Sequence, residues 1–145
     1  MLRNLSPLLT PDLLHALRSM GHGDEIALVD GNFPAETNAQ RLIRLDGIAA
    51  TDVLKAVLSV MPLDTYVAWP AARMEVVGKP DEVPEICAEF QTIINSAADA
   101  PCQLGKIERF AFYERVQSCF AIVATGESRL YGNIILTKGV IRPGA

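Results

Sequence analysis

Aromatic residues make up only 6% of this 145-residue chain, and it has a single tryptophan and two histidines. Charged residues are also sparse, at 21% against 50% hydrophobic. That balance excludes a disordered, solvating polypeptide, which would lack the apolar area to offset its ordering entropy. Long apolar runs are missing as well. The longest uninterrupted one, Cys119 to Ala124, is far short of the roughly 20 residues needed to cross a bilayer. No transmembrane helix is expected. The opening Met1-Leu2-Arg3-Asn4 lacks the apolar core and small-residue cleavage site of a secretory signal, so a cytoplasmic location is the default expectation.

Basic residues never stand side by side, and 13 Lys and Arg against 17 Asp and Glu give a net charge of −4. Phosphate recognition needs a basic patch or stripe, which argues against nucleic acid or an anionic membrane as partner. The cysteines Cys87, Cys102 and Cys119 are odd in number and form no C-x-x-C. A disulfide framework is not expected, and His15 and His22 do not add up to a zinc site. Nucleotide and covalent-catalysis signatures are absent too: no G-x-G-x-x-G, no G-x-x-x-x-G-K-[ST], no G-x-S-x-G. No metal and no cofactor are expected.

What is present is one domain's worth of alternating helix and strand patterns, spanning residues 1–145. Thr10-Pro11-Asp12 opens a helix with a hydroxyl cap, a first-position proline and a carboxylate at the positive end. Leu13, Leu14, Leu17 and Met20 follow at helical spacing, and Gly21 stops it. Further helices are expected from Thr51, over Asp81 to Asn95 with Val83 in its apolar stripe, and around Phe112, Tyr113 and Val116. Strands are expected at Glu25–Val29, Arg41–Leu45, Tyr66–Trp69, Met74–Val77 and Tyr131–Leu136, with Lys106–Arg109 extended and Lys138-Gly139 beginning a tail. Phe120 to Ala124 is apolar on both faces, as interior strands are. The expected fold class is α/β, a single layered domain with helices packed around a central mixed β-sheet.

Three loop segments look unlike scaffolding. In Gly21-His22-Gly23-Asp24 a histidine stands between two glycines, and imidazole is the side chain best matched to proton transfer near neutral pH. His22 also reads as a simple helix terminus, whereas His15 falls on the polar face of the first helix. Asp30-Gly31-Asn32-Phe33-Pro34 follows a strand directly. A carboxylate there lines a ligand crevice in many α/β sheets, but the same residues make ordinary turns. Arg129-Leu130-Tyr131-Gly132-Asn133 offers a phenol and an amide suited to a polyol, or else a plain strand start. Together these features favour cofactor-free acid–base chemistry on a neutral polar ligand.

These segments, with Arg109-Phe110-Ala111-Phe112-Tyr113-Glu114-Arg115, resemble the RbsD/FucU family of sugar mutarotases. The likeness runs from Leu5-Ser6-Pro7 to Lys138-Gly139, and Gly21-His22-Gly23-Asp24-Glu25-Ile26 and Tyr131-Gly132-Asn133-Ile134 are its most specific parts. The 109–115 segment looks like the L-fucose branch rather than the D-ribose pyranase branch. The resemblance implies interconversion of the anomers of a free monosaccharide, L-fucose before D-ribose. It implies His22 as the proton-transferring group, with Asp30, Arg109, Tyr131 and Asn133 binding the sugar. It also implies a ring-shaped homo-oligomer, typically a decamer of two stacked pentamers, with sites between neighbouring subunits. A non-catalytic sugar-binding or transport-accessory protein is the reading from a different class; such a protein has no need of a titratable group beside the ring oxygen.

Mutarotation needs only protons. One leaves the anomeric hydroxyl, one reaches the ring oxygen, and the bond between that oxygen and C1 opens and recloses. His22 would protonate the ring oxygen, while Asp30 accepts from sugar hydroxyls and Arg109 donates to them in a planar fork. Spacing adds a constraint. Residues 22 and 30 lie eight apart across an expected strand, about 26 Å if fully extended at ~3.3 Å per residue. One pyranose cannot touch both, so either the His22 loop folds back or different subunits supply the two side chains.

Overall fold

The computed structural model describes residues 1–144 and forms a mixed six-stranded sheet with helices on both faces. In chain order the elements are α1 (Pro11–Ser19), β1 (Glu25–Val29), α2 (Ala35–Asn38), β2 (Leu42–Leu45), α3 (Ala50–Leu58), β3 (Ala71–Met74), α4 (Glu85–Ala97), β4 (Gly105–Ile107), α5 (Arg109–Ser118), β5 (Ala121–Thr125) and β6 (Ile134–Thr137). The strands lie in the order β2-β5-β1-β6-β3-β4. β1 and β2 both pair parallel with β5, and β3 pairs parallel with β4. β6 alone runs against its neighbours β1 and β3.

The expected α/β class therefore holds, and its cause is visible along β1. Alternate residues of a strand point to opposite faces. Ile26 and Leu28 enter one core with α1, α3 and α4, while Ala27 and Val29 enter a second with α2 and α5. A strand buried on both faces is apolar at every position, which is why Ala121–Thr125 is buried throughout. α1 starts as its sequence predicts: the Thr10 hydroxyl accepts from the Leu13 N–H at 3.3 Å, with Pro11 in the first turn.

Several expectations need correction. Tyr66–Trp69 is not a strand but a series of bends, with Tyr66, Val67 and Trp69 exposed. The neighbouring strand is Ala71–Met74 rather than Met74–Val77. Small alanines fit between helices on both faces and pair with Leu136 and Ile135, so packing overrode the β propensity of Val76 and Val77. Those valines instead border a tight turn closed by a Val76–Lys79 bridge. α4 begins at Glu85 after Pro84, which leaves Val83 exposed before the helix. Arg109 opens α5 rather than ending the extended segment, and Tyr131 precedes β6, with a positive φ of 63°. Lys138-Gly139 is anchored rather than a tail: the Lys138 ammonium donates to the Leu17 and Met20 carbonyls at the end of α1. Among the described residues no helix is long and apolar enough to cross a membrane.

Candidate active site

The carboxyl ends of β1, β3, β4 and β5 share one edge of the sheet, the place where open α/β sheets hold ligands. A cavity of about 320 Å³ opens there, lined by Asp30, Asn32, Phe33, Met74, Val77, Arg109, Tyr113, Leu130, Tyr131 and Asn133. All four residues expected to bind sugar are among them. The volume lies at the small end for ligand sites and matches a single small molecule rather than a polymer. A larger groove of about 750 Å³ runs between α3 and α4 but includes none of these four.

Asp30 and Asn133 form a reciprocal pair across β1 and β6. The Asp30 backbone N–H donates to Asn133 Oδ1 at 2.8 Å, and Asn133 Nδ2 donates to Asp30 Oδ2 at 3.0 Å. Asp30 Oδ1 accepts from the Asn32 N–H at 2.9 Å. Each carboxylate oxygen thus accepts one short hydrogen bond, and the amide keeps one N–H. Burial raises the Asp30 carboxyl above its ordinary value, and hydrogen bonds from Asn32, Asn133, Phe33 and Gly132 only partly oppose this. The pair is thus a buried, oriented set of hydrogen-bonding groups with capacity left for a hydroxylated ligand.

Arg109 reaches this cavity because of the residue before it. Glu108 caps α5, its two carboxylate oxygens accepting from the Phe110 and Ala111 N–H groups, both at 3.0 Å. Those backbone hydrogen bonds hold the Glu108 carboxyl below its ordinary value. The cap fixes Arg109 as the first helical residue. A cation there opposes the helix dipole, and local cost of this kind is expected where a site demands a particular charge. The Arg109 guanidinium carbon lies 5.8 Å from the centre of the Tyr113 ring, and Tyr113 stacks on Phe33 at 5.2 Å. Tyr131 faces the same space, its hydroxyl accepting from the Val77 N–H at 3.2 Å and keeping its own proton to donate.

His22 lies elsewhere. It precedes β1, at the strand end opposite Asp30, and the five residues of β1 keep the two sites about 16 Å apart at ~3.3 Å per residue. The His22 loop does not fold back along the strand. Instead His22 Nε2 lies 2.9 Å from Asp64 Oδ1, and its ring packs against Tyr66 at 5.3 Å between centroids. Asp64 is almost completely buried, whereas the His22 side chain is 45% exposed. Burial alone would raise the Asp64 carboxyl, but the His22 hydrogen bond and the Tyr66 and Thr65 backbone outweigh it and hold it below its ordinary value. A carboxylate on Nε2 favours the tautomer protonated there, which leaves Nδ1 as the nitrogen able to pick up and release a proton.

The four residues expected to bind sugar thus line one cavity, His22 stands apart from them, and its partner Asp64 was not foreseen from the sequence. No spacing rule connects positions 22 and 64. They meet because the 63–64 backbone crosses over Gly139, where an added Cβ would stand 2.5 Å from the Leu63 carbonyl oxygen. The apolar wall of Met74, Val77 and Leu130 was also unforeseen, since such residues read as core or surface until a cavity is in view. Among the described residues no three His, Cys, Asp or Glu side chains gather closely enough to hold a metal ion.

Known proteins with the same architecture place this geometry in context. A profile of the RbsD / FucU transport protein family matches residues 3–141. The human protein named fucose mutarotase is 49% identical, the match covering 97% of this chain and 94% of that one. Its bovine counterpart is 47% identical over 98% of this chain and 95% of its own. The crystal structure of the fucose mutarotase from Streptococcus pneumoniae in complex with L-fucose superposes with a TM-score of 0.90 at 42% identity, covering 97% of this chain and all of that chain.

Proposed function

Because this chain belongs to the RbsD/FucU family, we propose that it is an L-fucose mutarotase, a cofactor-independent isomerase that interconverts the α and β anomers of the free sugar. The observation that carries this reading is the gathering of Asp30, Arg109, Tyr131 and Asn133 around one cavity of monosaccharide size. Asp30 and the free Asn133 N–H engage sugar hydroxyls, Arg109 donates as a planar fork, and the Tyr131 hydroxyl donates its remaining proton. Met74, Val77 and Leu130 supply an apolar surface beside the polar set. L-fucose has a methyl group to place there and D-ribose has none.

The proton relay is His22. Its imidazolium, held by Asp64, gives a proton to the ring oxygen as the bond to C1 breaks. The anomeric hydroxyl surrenders its proton to water or to a bound side chain, leaving the aldehyde. Rotation about the C1–C2 bond and the reverse transfers close the ring on the other face, and no net proton is consumed. A positioned acid or base contributes typically ~10²–10⁴-fold to such steps.

One chain cannot bring His22 to its own cavity, so the working site joins two copies: His22 and Asp64 from one, the Asp30 cavity from the next. Both half-sites are rimmed by exposed apolar residues, Tyr66, Val67 and Trp69 at the His22 end and Phe110, Leu130 and Val77 at the cavity. Unlike patches that meet head to tail generate a closed ring when the rotation closes.

The test is anomer exchange followed by NMR on L-fucose, D-ribose, D-galactose and D-glucose. L-fucose should exchange fastest. Fastest exchange of D-ribose would assign the chain to pyranase-type activity. Tight sugar binding with exchange no faster than buffer would make it a non-catalytic binder.

A further inference from the structure

The loop between β5 and β6 carries two sugar-binding candidates, Tyr131 and Asn133, yet it is held from a residue outside the cavity. Tyr131 has a φ of 63°, a conformation that L-residues with large side chains rarely keep without support. The support converges on Glu127, which is 4% exposed. Its Oε2 accepts from the Arg129 backbone N–H at 3.2 Å and from Arg129 Nε at 3.1 Å, and Oε1 accepts from Arg129 Nη2 at 3.3 Å. The far side of that guanidinium is tied to Glu89 on α4 at 2.6 Å.

The same residue also holds the opposite wall. The Glu127 carbonyl accepts from the Gly31 N–H, next to Asp30, at 2.9 Å. Its own N–H donates to Thr125 Oγ1, which in turn donates to the Val29 carbonyl at the end of β1. The chain then turns tightly across the Glu127 side chain: a Cβ on Gly132 would stand 2.8 Å from Glu127 Cγ. Burial alone would raise the Glu127 carboxyl, but its bonds to Arg129 hold it below its ordinary value, so it stays an anion. The Ala50 N–H at the start of α3 also contributes to holding this carboxylate, and a buried anion needs such partners on every side to offset its desolvation.

We propose that Glu127 is a positioning residue for the sugar site, its carboxylate clamping the 127–133 loop so that Tyr131 and Asn133 present their polar atoms to the cavity. The proposal rests on the reading of that cavity as the sugar site. It touches no reacting atom. Its effect is on how well the sugar is held, which falls on KM rather than on kcat. Arg129 acts in the same clamp as the cationic partner, and Glu89 fixes the assembly to α4.

The test compares wild type with Glu127→Ala and with Glu127→Gln, which keeps the shape and an acceptor for the Arg129 N–H should the alanine variant not fold. Amide hydrogen exchange in the sugar-free protein should be about tenfold faster at residues 130–133, with β1 and β5 unchanged. NMR anomer exchange with L-fucose should show KM raised about tenfold for Glu127→Ala, less for Glu127→Gln, and kcat within about threefold of wild type. Combined with Tyr131→Phe, the loss should fall short of the product of the single losses, because both act through one loop. Unchanged loop exchange, exchange accelerated across the whole sheet, a loss confined to kcat, or losses that multiply would each overturn the proposal. The amide arm uses no sugar. If wild type moves no sugar at all, the mutarotase reading fails, while that arm still decides whether Glu127 holds the loop.

Discussion

Replacing Asp64 by asparagine removes one charge and almost no volume, so it isolates what the carboxylate does for His22. The Asp64 oxygen lies 2.9 Å from His22 Nε2. A hydrogen bond to a charged group contributes about 1.5–3 kcal/mol, against about 1 kcal/mol for a neutral one, so the exchange forfeits about 0.5–2 kcal/mol when the ring is an imidazolium. His22 is 45% exposed, and solvent screening keeps the loss toward the lower figure. At about 1.4 kcal/mol per decade, kcat for anomer exchange should fall about twofold to fivefold, with KM for L-fucose nearly unchanged because Asp64 lies outside the cavity. Stability gives a second reading. The Asp64 carboxyl titrates below its ordinary value in the folded protein, so its contribution is present above the unfolded value of about 3.9 and lost as pH falls through the lower folded one. The wild type should therefore lose stability in that acid window by a step that the Asp64→Asn variant lacks. A variant whose kcat equals that of wild type would refute the view that the carboxylate supports proton relay.

Two other outcomes follow from the same geometry. Burial raises the Asp30 carboxyl, so this acceptor gains its proton at a higher pH than an ordinary aspartate. Affinity for L-fucose, measured by calorimetry across an acid series, should weaken with a midpoint above about 3.9, and a midpoint at or below that value would remove Asp30 from the contact. If sites join two copies, His22→Ala and Arg109→Ala oligomers are each inactive, but co-assembled one to one they should regain about a quarter of wild-type exchange, the random fraction of intact head-to-tail pairs. No recovery in verified mixed oligomers would place both residues in the same chain's site.

The fold was legible where periodicity and caps agree. α1, β1 and β5 read directly because a hydroxyl–proline start, an apolar run and a two-faced burial pattern leave few alternatives. The readings failed where long-range packing decides. Ala71–Met74 carries little strand propensity and becomes a strand because β6 pairs with Ala71, Ala72 and Arg73 on one side and β4 with Ala72, Arg73 and Met74 on the other. Tyr66–Trp69 has the propensity but leaves Tyr66, Val67 and Trp69 exposed. The site followed the same rule. Asp30, Tyr131 and Asn133 were legible as loop chemistry next to strands, whereas Asp64 meets His22 across 42 residues of sequence and the burial of Glu127 beneath Gly132 is not announced by its neighbours.

β1 is the element that organises the chemistry. Its five residues are locked on both sides by β5 and β6, so the separation between its ends cannot be closed by loop motion without breaking the centre of the sheet. One end carries His22 and the other the Asp30 cavity. A chain built this way gains nothing by flexing toward its own missing half. In the proposed assembly a second copy brings the two ends together, and the geometry of that contact would set the distance from His22 Nδ1 to the ring oxygen. Rigidity of the strand would then be an asset: with both half-sites fixed to the same central sheet, every equivalent contact in a closed ring would reproduce the same site.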